Sequence, residues 1–278
     1  MCYLPALGDL EFDTRLSGGN GRYTTTLSED WAIWGPNGGY LAAVALRAAG
    51  MAEAIKRPVS IACHFLGVAR FEPVDVEVRA VQSGRRAESL HVAITQGERA
   101  ILQASCAQLP GVEHNFPRMP EAPPPSQLKS FLDHWPDPPD SVPFWQNIDL
   151  RIIYPERIFD REHAHDANVP EWYRYQRRDT FDDPFVDAAS AVILMDTIAW
   201  PAGANPYPPS TRTYQAVNLD VVAWFYEPES PWLLCDYDAP LATGGLVAGR
   251  GLIWSEDGRL VAMGGAQLFC IQVPGTAD

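Results

Sequence analysis

Residues 35–50 read GPNGGYLAAVALRAAG. Pro36 sets the entry to a helix, and Gly38 and Gly39 let another backbone or a ligand come close. From Tyr40 to Ala49 the residues are small or apolar, with Arg47 the single charge. A helix apolar on nearly every side belongs in an interior. One strand, 22–27, precedes it after the turn-forming run at 17–21. Four strand-like segments follow, at 59–66, 74–81, 87–95 and 100–109, rich in β-branched residues and parted by turns at Gln82-Ser83-Gly84 and Gln96-Gly97-Glu98. This order predicts an α+β unit, a helix wrapped by a mainly antiparallel sheet.

The same order recurs downstream. Strand-like segments at 150–153 and 172–178 precede PFVDAASAVILMDTIAW at 184–200, a second apolar helix with Asp187 near its start, which Pro201 is expected to stop. Strands are predicted at 214–226, 232–239, 246–255 and 260–272. ERAILQASCAQL at 98–109 matches DGRLVAMGGAQLF at 257–269, both passing through Ala-Gln-Leu. Between the repeats, EAPPPSQ and WPDPPDSVP cannot lie inside a regular sheet, because proline lacks the amide donor. They read as a surface linker that Phe131, Trp135, Phe144 and Trp145 hold down. The predicted organisation is one unit at 1–110, a linker at 111–147 and a second unit at 148–278.

Composition narrows the function. A net charge of −14 argues against a nucleic-acid partner, which needs Lys and Arg in excess. Hydrophobic residues at 46% are enough for a substantial core. Five cysteines with no C-x-x-C pair point to free thiols in a reducing compartment. The first sixteen residues hold no basic segment followed by an apolar run, and no apolar stretch reads as long enough to span a membrane. A soluble cytoplasmic protein without a membrane partner is the expectation.

The succession GPNGGYLAA, a strand ending in His64-Phe65-Leu66, the proline-rich linker, Met195-Asp196 and NLDVVAWFYEP resembles the TesB-like acyl-CoA thioesterases. The resemblance spans almost the whole chain outside the linker. It implies a double hot-dog fold, in which each unit wraps a long helix in a curved antiparallel sheet and the two sheets pair side by side. It also implies hydrolysis of an acyl-CoA to free acid and coenzyme A, with no metal or redox cofactor. Hot-dog proteins commonly associate, so a homodimer or larger is expected. The family's catalytic Asp matches Asp196. Its Thr position is taken by Asn218. Its Gln falls at Gln267, one residue late unless a bulge at Gly264-Gly265 absorbs the difference.

Each candidate carries two readings. Asp196 sits in AVILMDTIAW, where a carboxylate is costly unless paired, and burial would raise its pKa toward that of a general base; the other reading is a structural bond to backbone amides. Asn218 and Gln267 would position water, or be ordinary strand residues. Gly38 and Gly39 would offer amides to the substrate's thioester carbonyl, or serve tight helix packing. The first helix has no carboxylate from Tyr40 to Ala49, so one active site per chain is expected, with Asp220 the next carboxylate to consider. His64 reads as structural. His163 and His165, beside Asp160, Glu162 and Asp166, read as a solvated loop rather than a metal site, and no H-E-x-x-H supports zinc. G-x-S-x-G and the P-loop motif are absent. Arg85-Arg86 and Arg177-Arg178 suit coenzyme A phosphates or charge pairs. Two other functions remain open: a non-catalytic acyl or CoA-thioester binding protein, and a hot-dog hydratase or dehydratase acting on an enoyl thioester.

Overall fold

The computed structural model describes residues 7–52, 57–84, 88–108, 118–134, 142–160, 162–208, 210, 212–226 and 230–272. A short helix α1 (Leu10–Asp13) leads into strands β1 (Ser17–Gly19) and β2 (Arg22–Thr26), then helix α2 (Gly38–Ala52). Strands β3 (Ser60–Phe65), β4 (Pro73–Ser83), β5 (Glu88–Gln96) and β6 (Arg99–Gln108) complete the first set. Short helices α3 (Phe131–His134) and α4 (Pro143–Gln146) lie in the linker region. The second set runs β7 (Ile148–Ile152), α5 (Pro155–Phe159), β8 (Asn168–Tyr175), α6 (Pro184–Thr197), α7 (Ala199–Ala204), β9 (Tyr214–Phe225), β10 (Leu233–Thr243), β11 (Leu246–Ser255) and β12 (Leu260–Gln272).

Among the described residues all twelve strands form one antiparallel sheet, in the order β1-β2-β4-β5-β6-β3-β9-β12-β11-β10-β8-β7. The order is symmetric about the seam between β3 and β9: reading outward, β6 answers β12, β5 answers β11, and β4 answers β10. This is the double hot-dog. The seam is a regular ladder, with Ile61 opposite Ala223 and Cys63 opposite Val221, all four turned inward and buried.

The two long helices lie in the concave interior and pack antiparallel. A Cβ on Gly39 would come within 2.6 Å of the Ile193 Cα, and one on Gly50 within 2.6 Å of the Phe185 ring. Glycine at Gly39 is therefore what lets the backbones approach. Asn37 caps α2, its Oδ1 accepting from the Tyr40 amide at 2.9 Å. Asp183 caps α6 in the same way through Phe185, with Pro184 at the first helical position.

Two expectations about the second helix change. Pro201 does not stop it. Helix α6 ends at Thr197, and Pro201 lies inside the first turn of α7, where backbone amides lack intrahelical acceptors anyway. Residues 184–204 are also long and apolar enough to cross a membrane, but 89% of their 18-residue apolar window is buried inside the protein, as befits a core segment.

The linker region packs against the outer face of the second half. Met119, Ala122 and Leu128 cover a cluster of Trp172, Leu234, Trp254 and Leu260, and the Trp172 indole donates to the Pro123 carbonyl at 2.9 Å. Phe144 is buried edge-on to Trp31. Trp135 lies outside the described residues.

Candidate active site

Asp196 sits near the C-terminal end of α6 and points at the N-terminal end of α2. The Gly39 amide donates to its Oδ2 at 2.7 Å. The Asn218 amide nitrogen donates to its Oδ1 and, at 2.9 Å, to its backbone carbonyl. Gly38 lies so close that a Cβ there would stand 3.0 Å from both carboxylate oxygens and from the Phe65 ring. Asn37 ties the helix ends together by donating to the Thr197 hydroxyl at 3.2 Å.

Asp196 is only 2% exposed. Burial raises its pKa to about 6, and the hydrogen bonds from Asn218 and Gly39 partly offset that rise. The positive end of the α2 dipole acts in the same direction as those two bonds. A carboxyl with this pKa is mostly ionised at neutral pH and still basic enough to take a proton.

Asn218 reaches this site because of a fold irregularity. The β9–β12 ladder pairs Asp220 with Gln267 and Asn218 with Leu268, leaving Leu219 as the extra residue. The bulge switches the pleat, so Asn218 faces the helices alongside Val221 and Ala223, while Asp220 faces out. The expected bulge at Gly264-Gly265 does not occur: these residues pair regularly with Ala223 and Val222.

Gln267 therefore does not join Asp196 and Asn218. It pairs with Asp220 on the outer face, and its backbone amide donates to the Asp220 carboxylate at 3.1 Å. The residue on the helix side at this level is Ala266, which is buried. His64 pairs with Asp220 across the seam and is exposed on the same outer face.

Tyr237 is the residue that sequence reasoning passed over. It lies on β10, fully buried, opposite Gly251. Its ring fills the space above Gly249 and Gly251, where added Cβ atoms would come within 2.4 and 2.5 Å of it, and Met195 lies beside Gly251. Its hydroxyl has no hydrogen-bond partner of good geometry among the described residues. Burial raises its pKa, the nearby Cys235 and the Asp196 carboxylate add to that rise, and a weak hydrogen bond with the Ala266 backbone partly offsets it. A buried hydroxyl left without a well-aligned partner is uncommon and calls for an explanation.

The other candidates resolve differently. Arg177 and Arg178 pair with Asp9, and Arg178 also with Glu11, so their charges are already matched within the chain. Arg85 and Arg86 lie outside the described residues. His163 and His165 both approach Asp160, at 2.9 and 3.4 Å, and no group of three potential metal ligands occurs among the described residues.

A family model described as the acyl-CoA thioesterase N-terminal domain matches residues 27–109, and one described as the acyl-CoA thioesterase C-terminal domain matches residues 118–269. No curated protein matches the chain. Among solved structures, a hot-dog protein of unknown function from Alicyclobacillus acidocaldarius superposes with a TM-score of 0.80 at 22% identity, covering 95% of this chain and 98% of that one. The tesB protein of Mycobacterium avium subs paratuberculosis gives 0.77 at 23% identity, over 96% and 100%. An acyl-CoA thioesterase II, TesB2, from Mycobacterium marinum gives 0.77 at 21%, over 96% and 100%. At these identities the superpositions establish the fold.

Proposed function

The chain belongs to the acyl-CoA thioesterase family, thioester hydrolases of hot-dog fold, and we propose that Asp196 is its general base in hydrolysing an acyl-CoA. The observation that carries this reading is a buried carboxylate, held by one amide from each half of the chain, with its pKa raised to about 6.

In this mechanism a water lies against Asp196. Asn218 holds Oδ1 through its nitrogen, which leaves its own carbonyl oxygen to accept from that water. The Tyr237 hydroxyl supplies a further hydrogen bond from the Ala266 side. Asp196 takes one proton as the water oxygen bonds to the thioester carbonyl carbon. The tetrahedral intermediate then collapses, the carbon–sulfur bond breaks, and the proton passes to the leaving sulfur of coenzyme A. The products are a free acid and a thiol. The Gly39 amide is committed to Asp196, so among the first-turn amides of α2 the role of oxyanion donor falls to Gly38. Because Asp196 is covered, the Phe65 ring against Gly38 must shift to admit the thioester.

A second reading is a non-catalytic binder of acyl thioesters. What favours it is the buried Ala266 at the level where the resemblance calls for a glutamine. Hydrolysis of a panel of acyl-CoAs by wild type and Asp196→Asn, followed by free-thiol release, decides between them. Turnover by wild type that falls by about 10² to 10⁴ in the variant supports the general base. No thiol release by wild type leaves the binder; full turnover by the folded variant removes Asp196 from the chemistry.

A further inference from the structure

A cavity of about 470 Å³ lies in the C-terminal half, between the inner side of β7 and β8, helix α7 and the linker region. Asp196, Asn218, Tyr237 and Gly38 do not line it. Its size is that of a small-molecule site. Trp145, Ile148, Leu150, Tyr154 and Trp200 make its walls largely apolar and aromatic.

Two guanidiniums face this space. Arg157 lies over the Tyr154 ring, 4.2 Å from its centroid, and Arg212 over the Trp200 ring at 5.7 Å. Neither forms an ion pair with a described residue. Arg212 donates from one terminal nitrogen to the carbonyls of Ala204 and Tyr207, while its Nε is buried without an acceptor. Burial lowers its pKa, and no carboxylate offsets that effect. A guanidinium drawn partly out of water with no anion beside it is unfavourable unless a ligand supplies the anion.

The acids around the cavity do not fill that role. Asp160 is engaged by His163 and His165. Glu171 is buried and accepts from the Tyr173 hydroxyl at 2.7 Å. Burial raises the Glu171 pKa to about 7, so Asp160 is the acid that would oppose a head group carrying several negative charges, and the two arginines would oppose a cation. A single negative charge on an apolar body meets neither objection.

We propose that this cavity is a second ligand site, taking a free organic acid whose apolar body lies along Trp145, Leu150 and Trp200 and whose carboxylate sits on Arg212. The product class of thioester hydrolysis has this chemistry. Asp196 does not line the cavity, so the site does not depend on the general-base assignment.

Titration calorimetry of the whole chain with decanoate tests it. Binding of one decanoate per chain is expected, unchanged in Asp196→Asn and weakened about tenfold or more in Arg212→Gln, the effect of losing one charge-assisted contact. Decanol should bind about tenfold more weakly than decanoate for the same reason. Equal affinity for decanol would overturn the head-group assignment. Binding lost in Asp196→Asn but kept in Arg212→Gln would place the acid at the thioesterase centre instead, and absence of binding would end the proposal. Displacement of decanoate by coenzyme A alone would assign the arginines to phosphate and overturn it too. Should Arg212→Gln not fold, Ala204→Leu narrows the same cavity with no change of charge. Undiminished decanoate binding in that variant counts against the site.

Discussion

The Gly39 amide and the Asp196 carboxylate are 157 positions apart in the sequence and 2.7 Å apart in the fold. One belongs to the helix of the first half and the other to the helix of the second. The contact holds the carboxylate at a helix N-terminus, where the backbone offers donors and a positive dipole end. It exists because Gly39 lacks the Cβ that would meet Ile193.

Replacing Gly39 with Ala should therefore be costly. The added carbon would lie 2.6 Å from the Ile193 Cα and 2.9 Å from its carbonyl oxygen, both backbone atoms that cannot swing aside. Overpacking of this kind costs about 1–3 kcal/mol. Denaturant unfolding should show a loss of that order, and turnover should fall as well, because parting the helices lengthens the bond to Asp196. Unchanged stability would mean that the helices slide at no cost.

Stability should respond to pH through Asp196. Its folded pKa of about 6 lies above the unfolded value of 3.8, so the folded state binds the extra proton between these pH values. Stability then declines as pH rises from about 4 to about 6 and stays at the lower level above that. Asp196→Asn removes the ionisation. The variant should match or exceed wild type in melting temperature at pH 7.5, with the difference shrinking toward pH 4. A variant less stable at pH 7.5 would assign Asp196 a mainly structural role.

The rate should follow the opposite limb. A general base works only when ionised, so kcat/KM for an acyl-CoA should rise about tenfold per pH unit below its pKa and level off above about 6. Asp196→Asn should flatten that limb in whatever activity remains. A profile that keeps its inflection in the variant points to another titrating group.

Tyr237→Phe keeps the ring above Gly249 and Gly251 and deletes only the hydroxyl. Because that hydroxyl has no partner of good geometry among the described residues, stability should hold or rise slightly. Loss of a hydrogen bond to the attacking water should lower kcat by about tenfold with KM little changed. Equal kcat in the two proteins would leave the phenol as packing alone.

The fold was legible because its signals are local. Two apolar helices, each with a capping or glycine entry, and strands separated by turns are read from neighbouring residues, as was Asp196, a carboxylate among Val192, Ile193 and Trp200. Asn218 and Gln267 were not legible in the same way. Which face a strand residue takes depends on every irregularity along the ladder, and the bulge at Leu219 leaves no mark in the sequence. It turns Asn218 inward and leaves Gln267 on the outer face. Tyr237 looked like any aromatic in a buried strand. Its signal, Gly249 and Gly251 two apart on the adjoining strand, has meaning only once the pairing of β10 with β11 is known. Pro201 misled because a proline that ends one helix and one that begins the next read alike.

The seam at β3 and β9 has a consequence for stoichiometry. Expressed alone, either half would present its seam strand as a bare edge, open to pairing with its own copy as like with like. Joined in one chain, an unlike partner is always at hand. Every pairing then brings the Asp196 helix and the glycine-bearing helix together, so the contact between Asp196 and Gly39 forms once per chain.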